Sequence, residues 1–234
     1  MNYLKHIAFF LALIVLGISS CKKETDPPVD LQYEYYPTEI GFYKIYNVDS
    51  IIINEAFPEL SDTLNYQVKQ LFESEYIDNL NRKNIRVEHF YRKDASQDWK
   101  LLKAFSTIRD NNFAEVMDNN TRILVMKFPV KENQTWNRNA FNSNDANETK
   151  IENVIANVSA GSVSYSNCAQ LSLSLDTNLV TYLLDKEYYA KNIGLVKKEY
   201  MNFESSKNIS TPTVLNRIEN GYSYKYELIE YGKN

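Results

Sequence analysis

An alternation of apolar and polar residues with a period of two runs through most of this 234-residue chain and strongly limits how it can fold. Leu64, Tyr66 and Val68 alternate with polar residues, and the pattern recurs at 171–175 and 222–228. Such alternation is typical of a β-strand with one face in the core and the other in water. Strands of this kind favour antiparallel sheets with short connections. We therefore expect an all-β fold.

Clusters of Asn and Asp separate the alternating segments, and these residues tolerate the left-handed conformations of tight turns. The strands predicted between them are 42–54, 62–77, 84–93, 98–107, 112–117, 121–128, 148–158, 164–175, 179–190, 193–204 and 219–231. Weaker candidates lie at 31–36 and 133–137. The sequence thus predicts a large antiparallel meander, a strongly curved sheet that forms a half-barrel, a barrel or a two-layer sandwich.

Residues 1–20 follow a different pattern and are predicted to be a signal peptide. Lys5 and His6 precede an apolar run at 7–18, which Gly17 alone interrupts. A membrane-spanning helix needs about 20 apolar residues, so this run is too short to span a bilayer. Its length matches the apolar segment of a secretory signal, which is about 7–15 residues.

Residues 18–21 read Ile-Ser-Ser-Cys and resemble the lipobox of bacterial lipoproteins. The resemblance implies cleavage before Cys21, transfer of a diacylglycerol to its thiol and acylation of the new amino terminus. Several acyl chains are needed because one chain alone anchors a protein only marginally. The alternative is an ordinary cleaved signal that leaves Cys21 free. We expect residues 21–31 to be the lipidated cysteine and a flexible tether, and residues 32–234 to be a single β-domain.

Charge and residue counts argue against several classes of function. The chain has 26 Lys and Arg against 30 Asp and Glu, without a strongly basic cluster, so we expect no nucleic-acid binding. His89 is the only histidine beyond the predicted signal, and a Ser-His-Asp or Cys-His site would depend on it. Because His89 shares an alternating face with Ile85 and Val87, a satisfied or partly exposed strand histidine is the expectation. We expect Cys168 to be a small buried hydrophobe, and we expect no enzyme activity, metal or cofactor.

Four residues are candidates for surface contacts or modification. Trp99 and Trp136 have polar neighbours, which suits contact with a glycan or a protein but equally suits the rim of a β-core. Thr63 and Ser50 each follow an aspartate and precede an aliphatic residue, which resembles the acceptor pattern of Bacteroidetes O-glycosylation. Either could carry a glycan.

The order of several short motifs resembles an uncharacterised family of Bacteroidetes outer-membrane lipoproteins. The motifs are Tyr35-Tyr36-Pro37, Ile40-Gly41, the segments at 62–69, 73–78 and 85–92, Trp99, Phe128-Pro129-Val130, Thr135-Trp136-Asn137 and the YYAKNIGLVKKE segment at 188–199. The resemblance covers most of residues 33–232. It implies a lipid-anchored protein of the outer membrane that faces the periplasm or the cell surface, and it brings no activity.

The predicted function is therefore that of a membrane-anchored envelope lipoprotein. Its β-domain is expected to be a non-enzymatic binding module for a glycan, a hydrophobic ligand or a protein. The alternative is a structural accessory subunit of an outer-membrane complex. The membrane, reached through the N-terminal lipid, is the first expected partner.

Overall fold

The computed structural model of the protein describes residues 29–207 and 213–234, apart from the side chains of residues 174 and 175. The predicted signal peptide, Cys21 and most of the predicted tether lie outside the described residues. Residues 31–234 form one compact unit. In the part of the chain that is described, no helix is long and apolar enough to cross a membrane.

The described residues contain twelve strands, which pair antiparallel in one sheet. They are β1 Phe42–Asn54, β2 Asp62–Ile77, β3 Lys83–Arg92, β4 Lys100–Arg109, β5 Phe113–Asp118, β6 Thr121–Lys127, β7 Thr135–Asn137, β8 Glu148–Ala160, β9 Val163–Thr177, β10 Thr181–Ala190, β11 Gly194–Glu204 and β12 Asn220–Lys233. The predicted all-β, antiparallel fold is confirmed.

The sheet is a meander whose first and last strands also pair with each other. Its order is β6-β5-β4-β3-β2-β1-β12-β11-β10-β9-β8-β7, so β6 and β7 form the two edges. These edges meet at a seam, where the backbone N–H of Leu124 donates to the carbonyl of Arg138 at 2.9 Å. The indole Nε1 of Trp136 donates to the carbonyl of Leu124 at 3.0 Å. Of the three predicted forms, the sheet adopts a nearly closed barrel.

The two weaker strand candidates have different outcomes. The one at 133–137 contains β7, which is an edge strand of three residues. The one at 31–36 is wrong, because Tyr33–Tyr35 form a 3₁₀ turn with a 2.9 Å hydrogen bond from the N–H of Tyr36 to the carbonyl of Tyr33. Gln32 has a left-handed φ of 58°, which turns the chain out of an extended course. Tyr35 is buried, so this segment packs onto the domain instead of adding a strand.

The walls of the barrel pack against each other across its interior. Val158 and Cys168 of the β8–β9 hairpin form one buried cluster with Tyr46, Val48 and Leu228, which lie on β1 and β12. The predicted burial of Cys168 is confirmed, and burial raises the pKa of its thiol to about 11. The interior is therefore largely filled by side chains, and the space that remains is local.

Candidate ligand-binding cavity

A cavity of about 170 Å³ lies inside the barrel, near the end that the Tyr33–Pro37 segment covers. Phe72 of β2, Val87 of β3 and Phe105 of β4 form an apolar wall. The register pairs Val87 with both Phe72 and Phe105, so the three side chains share one face of the sheet. Period-two alternation in β2, β3 and β4 thus produces an apolar surface that faces the cavity.

Lys44 enters this surface from β1. It shares the inner face of the strand with Tyr46 and Val48, and only 6% of the residue is exposed. Its ammonium lies 5.4 Å from the centroid of the Phe72 ring. No hydrogen bond or ion pair joins Lys44 Nζ to another residue that the structure describes. Burial lowers the pKa of Lys44 to about 8.

A glycine leaves room for this ammonium. Gly194, the first residue of β11, has a φ of +84°, where side chains are strained. A Cβ added there would lie 3.4 Å from Lys44 Nζ and 3.3 Å from Pro37 Cδ. The backbone conformation and the close approach both favour glycine at position 194.

The opposite wall carries a network of ionic and polar groups centred on the buried Glu187, in which Arg138 and Lys198 are half-buried. Tyr189 Oη donates to Glu187 Oε2 at 2.7 Å, and Lys198 Nζ donates to Oε1 at 2.8 Å. Arg138 Nη1 lies 3.4 Å from Oε2. Burial acts to raise the pKa of Glu187, but the charges of Lys198 and Arg138 outweigh it and hold that pKa at about 2. This carboxylate is ionised and engaged by three donors.

Asp185 completes the set, which we call the Glu187 network (Arg138, Asp185, Glu187, Tyr189 and Lys198). The Asp185 carboxylate lies 3.5 Å from Lys198 Nζ. The network thus contains two carboxylates and two cations, and each of its carboxylates lies beside a cation of the network. Among residues 29–207 and 213–234, no group of three or more His, Cys, Asp or Glu could hold a metal ion.

His89 is a second basic residue on the Lys44 side of the barrel, and it is half-buried. It pairs in register with Gln70, which lines the cavity, and its ring packs edge-on against Phe105 at 4.8 Å. Burial, followed by the charge of Lys103, lowers the pKa of His89 to about 4. Its Nε2 has no hydrogen-bond partner among the described residues, so of the two expected forms His89 is the partly exposed strand histidine and not the satisfied one.

The two predicted contact tryptophans lie apart from the cavity. Trp136 is only 4% exposed and belongs to the core at the seam, so the exposure that its predicted role assumed does not hold. Trp99 is half-buried, and the guanidinium of Arg92 lies 4.1 Å from its ring centroid. Trp136 therefore follows the core alternative, while a contact role for Trp99 stays a prediction.

The two predicted glycosylation sites lie on opposite faces of the sheet. Ser50 pairs with Leu64, and Thr63 pairs with Ile51. Ser50 and Thr63 therefore lie at adjacent register positions, and their side chains point to opposite faces of the sheet. Ser50 is half-buried on the inner face, whereas Thr63 is exposed. Glycosylation of either residue stays a prediction.

The cavity residues Lys44 and Glu187 were not among the sequence candidates, although a signal for each was present. Lys44 occupies the same parity as Tyr46 and Val48, and Glu187 the same parity as Tyr189. A charged residue on a strand face that is otherwise apolar or aromatic indicates a buried charge.

The fold and the site together define a single-sheet, nearly closed barrel with an interior cavity and one unbalanced buried lysine. No family model and no curated protein matches the chain. A Bacteroides fragilis protein described as exported, with a YmcC-like fold, aligns at 12% identity and a TM-score of 0.44, covering 85% of this chain and 98% of its own. A protein from Parabacteroides distasonis described as a lipoprotein aligns at 11% identity and a TM-score of 0.41, with the same two coverages of 85% and 98%. At these identities the likeness concerns the fold alone.

Proposed function

We propose that this protein is a lipid-anchored lipoprotein of the outer membrane whose β-domain holds a small, largely apolar ligand in its interior, without catalysis. The signal-like N-terminal sequence that ends at Cys21 supports the anchor. The observation that carries the binding role is the cavity, with Phe72, Val87 and Phe105 on one side and the unpaired Lys44 beside them. An apolar cavity of about 150 Å³ accepts a molecule the size of benzene.

The energetic cost of Lys44 supports a binding role over a purely structural one. A buried charge without a partner destabilises a fold, and a well-packed apolar side chain at the same position would not. Such departures from the most stable choice are expected at functional sites. The engaged carboxylate of Glu187 supports the non-catalytic part of the proposal, because three donors and a pKa of about 2 make it a weak proton acceptor.

A cavity-filling substitution tests the binding role. Val125 lines the cavity and is buried, so Val125→Phe places a ring in the space that a ligand would occupy. The full-length protein, extracted in a neutral detergent, is titrated with small apolar compounds such as toluene while its melting temperature is recorded. We expect saturable stabilisation of the wild type and none of Val125→Phe. Val163→Phe, at an exposed hairpin position, is the matched control and should behave as the wild type does.

The anchor is tested separately. Cells are labelled with an alkyne analogue of palmitate, and incorporation is compared between the wild type and Cys21→Ala. Loss of both the label and membrane association in the variant is the expected result. Equal membrane association of the two proteins would contradict the proposed lipid anchor.

A second candidate function is that of an accessory subunit of an outer-membrane complex. It is favoured by exposed apolar side chains at the end of the barrel away from the cavity, where Ile52, Leu60 and Tyr222 line a shallow depression. Exposed apolar patches mark contact sites on many proteins. Gentle extraction of the tagged protein, followed by mass spectrometry, tests this function. A stoichiometric membrane partner would favour the subunit, and a retained small molecule on the protein alone would favour the binding module.

A further inference from the structure

Lys44 is the one cavity group whose charge is unmatched by a described neighbour. Its Nζ has Phe72 as its aromatic neighbour, and no carboxylate of a described residue lies within ion-pair distance. A buried ammonium is normally compensated by a carboxylate and additional acceptors. Among the described residues, no carboxylate or other acceptor supplies that compensation for Lys44.

The protein's own acids near the cavity are already committed. Glu187 accepts from Lys198 and Tyr189 and contacts Arg138. Asp185 lies beside Lys198 and is set back from the cavity lining. Moving either carboxylate to Lys44 would strip a buried cation of its partner. An anion that enters from outside would instead complete the balance without breaking the Glu187 network.

The size and lining of the cavity limit the nature of that anion. Its volume of about 170 Å³ suits a body of benzene size. Phe72, Val87, Phe105 and Val125 supply apolar surface. Of the donors in the lining, Arg138 and Tyr189 already contact Glu187. The Tyr36 hydroxyl already bonds to Thr107 at 2.8 Å. A dianion such as phosphate would need further donors to offset its desolvation. A single charge on a short apolar body fits both the unpaired ammonium and the apolar walls.

We propose, building on the proposed function above, that the ligand is a small organic monocarboxylate. Its carboxylate pairs with Lys44, and its apolar body lies against Phe72, Val87 and Phe105. Short fatty acids and aromatic acids of about eight to ten non-hydrogen atoms belong to this class, judged by the cavity volume.

Paired ligands that differ mainly in charge test this proposal. Hexanoate and its neutral analogue hexanamide are titrated calorimetrically into the full-length protein in neutral detergent at pH 7. The proteins are the wild type, Lys44→Met, Lys44→Arg and Lys131→Met, the last being an exposed control. We expect the wild type to prefer hexanoate. Lys44→Met should lose roughly 10- to 100-fold in hexanoate affinity, the range for a charge-assisted hydrogen bond, with hexanamide unchanged. Lys44→Arg should keep the preference, and Lys131→Met should match the wild type.

The alternative outcomes separate this proposal from the one on which it rests. If hexanoate and hexanamide bind equally and Val125→Phe abolishes both, the cavity is a ligand site but the ligand need not be an anion. Hexanoate binding that survives Lys44→Met undiminished would overturn the role of Lys44. If hexanoate does not bind, the proposal of an anionic ligand is wrong. If toluene does not bind either, the proposal that the cavity is a binding site is wrong as well.

Discussion

Two lysines on opposite walls of the barrel, the buried Lys44 and the half-buried Lys198, show how strongly a partner sets the state of a charge in this protein. Burial acts to lower the pKa of both. At Lys198 the carboxylates of Glu187 and Asp185 reverse that effect and raise the pKa. At Lys44 no such partner is present among the described residues, and the pKa falls to about 8. The charges of the Glu187 network thus have partners within it, whereas no described residue pairs with the charge of Lys44.

The same division extends to His89 on the Lys44 side. Its Nε2 has no partner among the described residues, and its pKa is lowered to about 4. Ionic groups on the network wall therefore contribute to holding the fold together, and the basic groups on the Lys44 wall cost stability when they carry a proton. Substitutions of Glu187 and of Lys44 should consequently change stability with opposite signs.

Loss of the central carboxylate should have the largest effect. Glu187→Gln leaves the half-buried Lys198 and Arg138 with one weaker acceptor, and breaking an ion pair of a buried carboxylate typically costs about 3–5 kcal/mol. For a domain of this size, about 2–4 °C of melting temperature accompanies each kcal/mol. Thermal unfolding followed by circular dichroism at pH 7 measures the change, with Glu132→Gln at an exposed position as the control. If Glu187→Gln lowers the melting temperature no more than Glu132→Gln does, the Glu187 network does not stabilise the fold and the contrast with the Lys44 wall is lost.

The second prediction is a gain in stability from Lys44→Met. The difference between the ordinary pKa of 10.5 and about 8 corresponds to about 3 kcal/mol. The unfolded chain keeps the Lys44 proton up to about pH 10.5, whereas the native protein keeps it only to about pH 8. The free energy of unfolding of the wild type therefore rises as the pH increases from about 8 to about 10.5. The variant should be the more stable protein at pH 7, and its advantage should vanish by about pH 10.5. Denaturant unfolding of the wild type, Lys44→Met and the control Lys131→Met from pH 7 to 10.5 measures this difference in stability. The prediction is wrong if Lys44→Met is no more stable than the wild type at pH 7.

The third prediction concerns acid sensitivity from His89. The pKa is about 4 in the native protein against an ordinary 6.5, so the unfolded chain binds the proton first as the pH falls. The wild type should lose about 2 kcal/mol of stability from this group between pH 7 and pH 5, and His89→Gln should not. Lys103, Lys44 and Asp118 face the same ring and are unchanged by the substitution. Urea unfolding of both proteins at the two pH values measures the difference, and equal losses would count against an unpaired base.

The local parts of the fold could be predicted from the sequence because period-two alternation is a property of neighbouring residues. The bounds of β1 and β2 match the predicted 42–54 and 62–77. The pairing of β1 with β12 and the seam at Leu124 could not be predicted, since both join residues far apart in the chain. The strand predicted at 31–36 does not form, because the left-handed Gln32 outweighs the aromatic composition of the segment.

The candidate site was harder to predict, and Trp136 shows why. Its neighbours Thr135 and Asn137 are polar, which suggested exposure, but adjacent residues of a strand point to opposite faces. Their polarity therefore describes the other side of β7. Residues two positions away are the informative ones, and by that rule Lys44 beside Tyr46 stands out. The surroundings of Lys44 could not be predicted, because they depend on which strands face each other across the barrel.

The smallest effect should come from Asp185, the outer carboxylate of the network. Burial, the largest influence, raises its pKa, its Oδ1 has no hydrogen bond among the described residues, and Lys198 is 3.5 Å away. Because the pKa of Asp185 is higher in the native protein than in the unfolded chain, its contribution to stability falls as rising pH ionises the carboxylate. Asp185→Asn removes the desolvated charge while Lys198 keeps Glu187 at 2.8 Å, so stability at pH 7 should stay within about 1 kcal/mol of the wild type. Thermal unfolding beside Glu187→Gln measures the contrast. Equal losses would mean that Lys198 needs both carboxylates, and a single carboxylate would then be insufficient to balance a buried lysine in this barrel, Lys44 included.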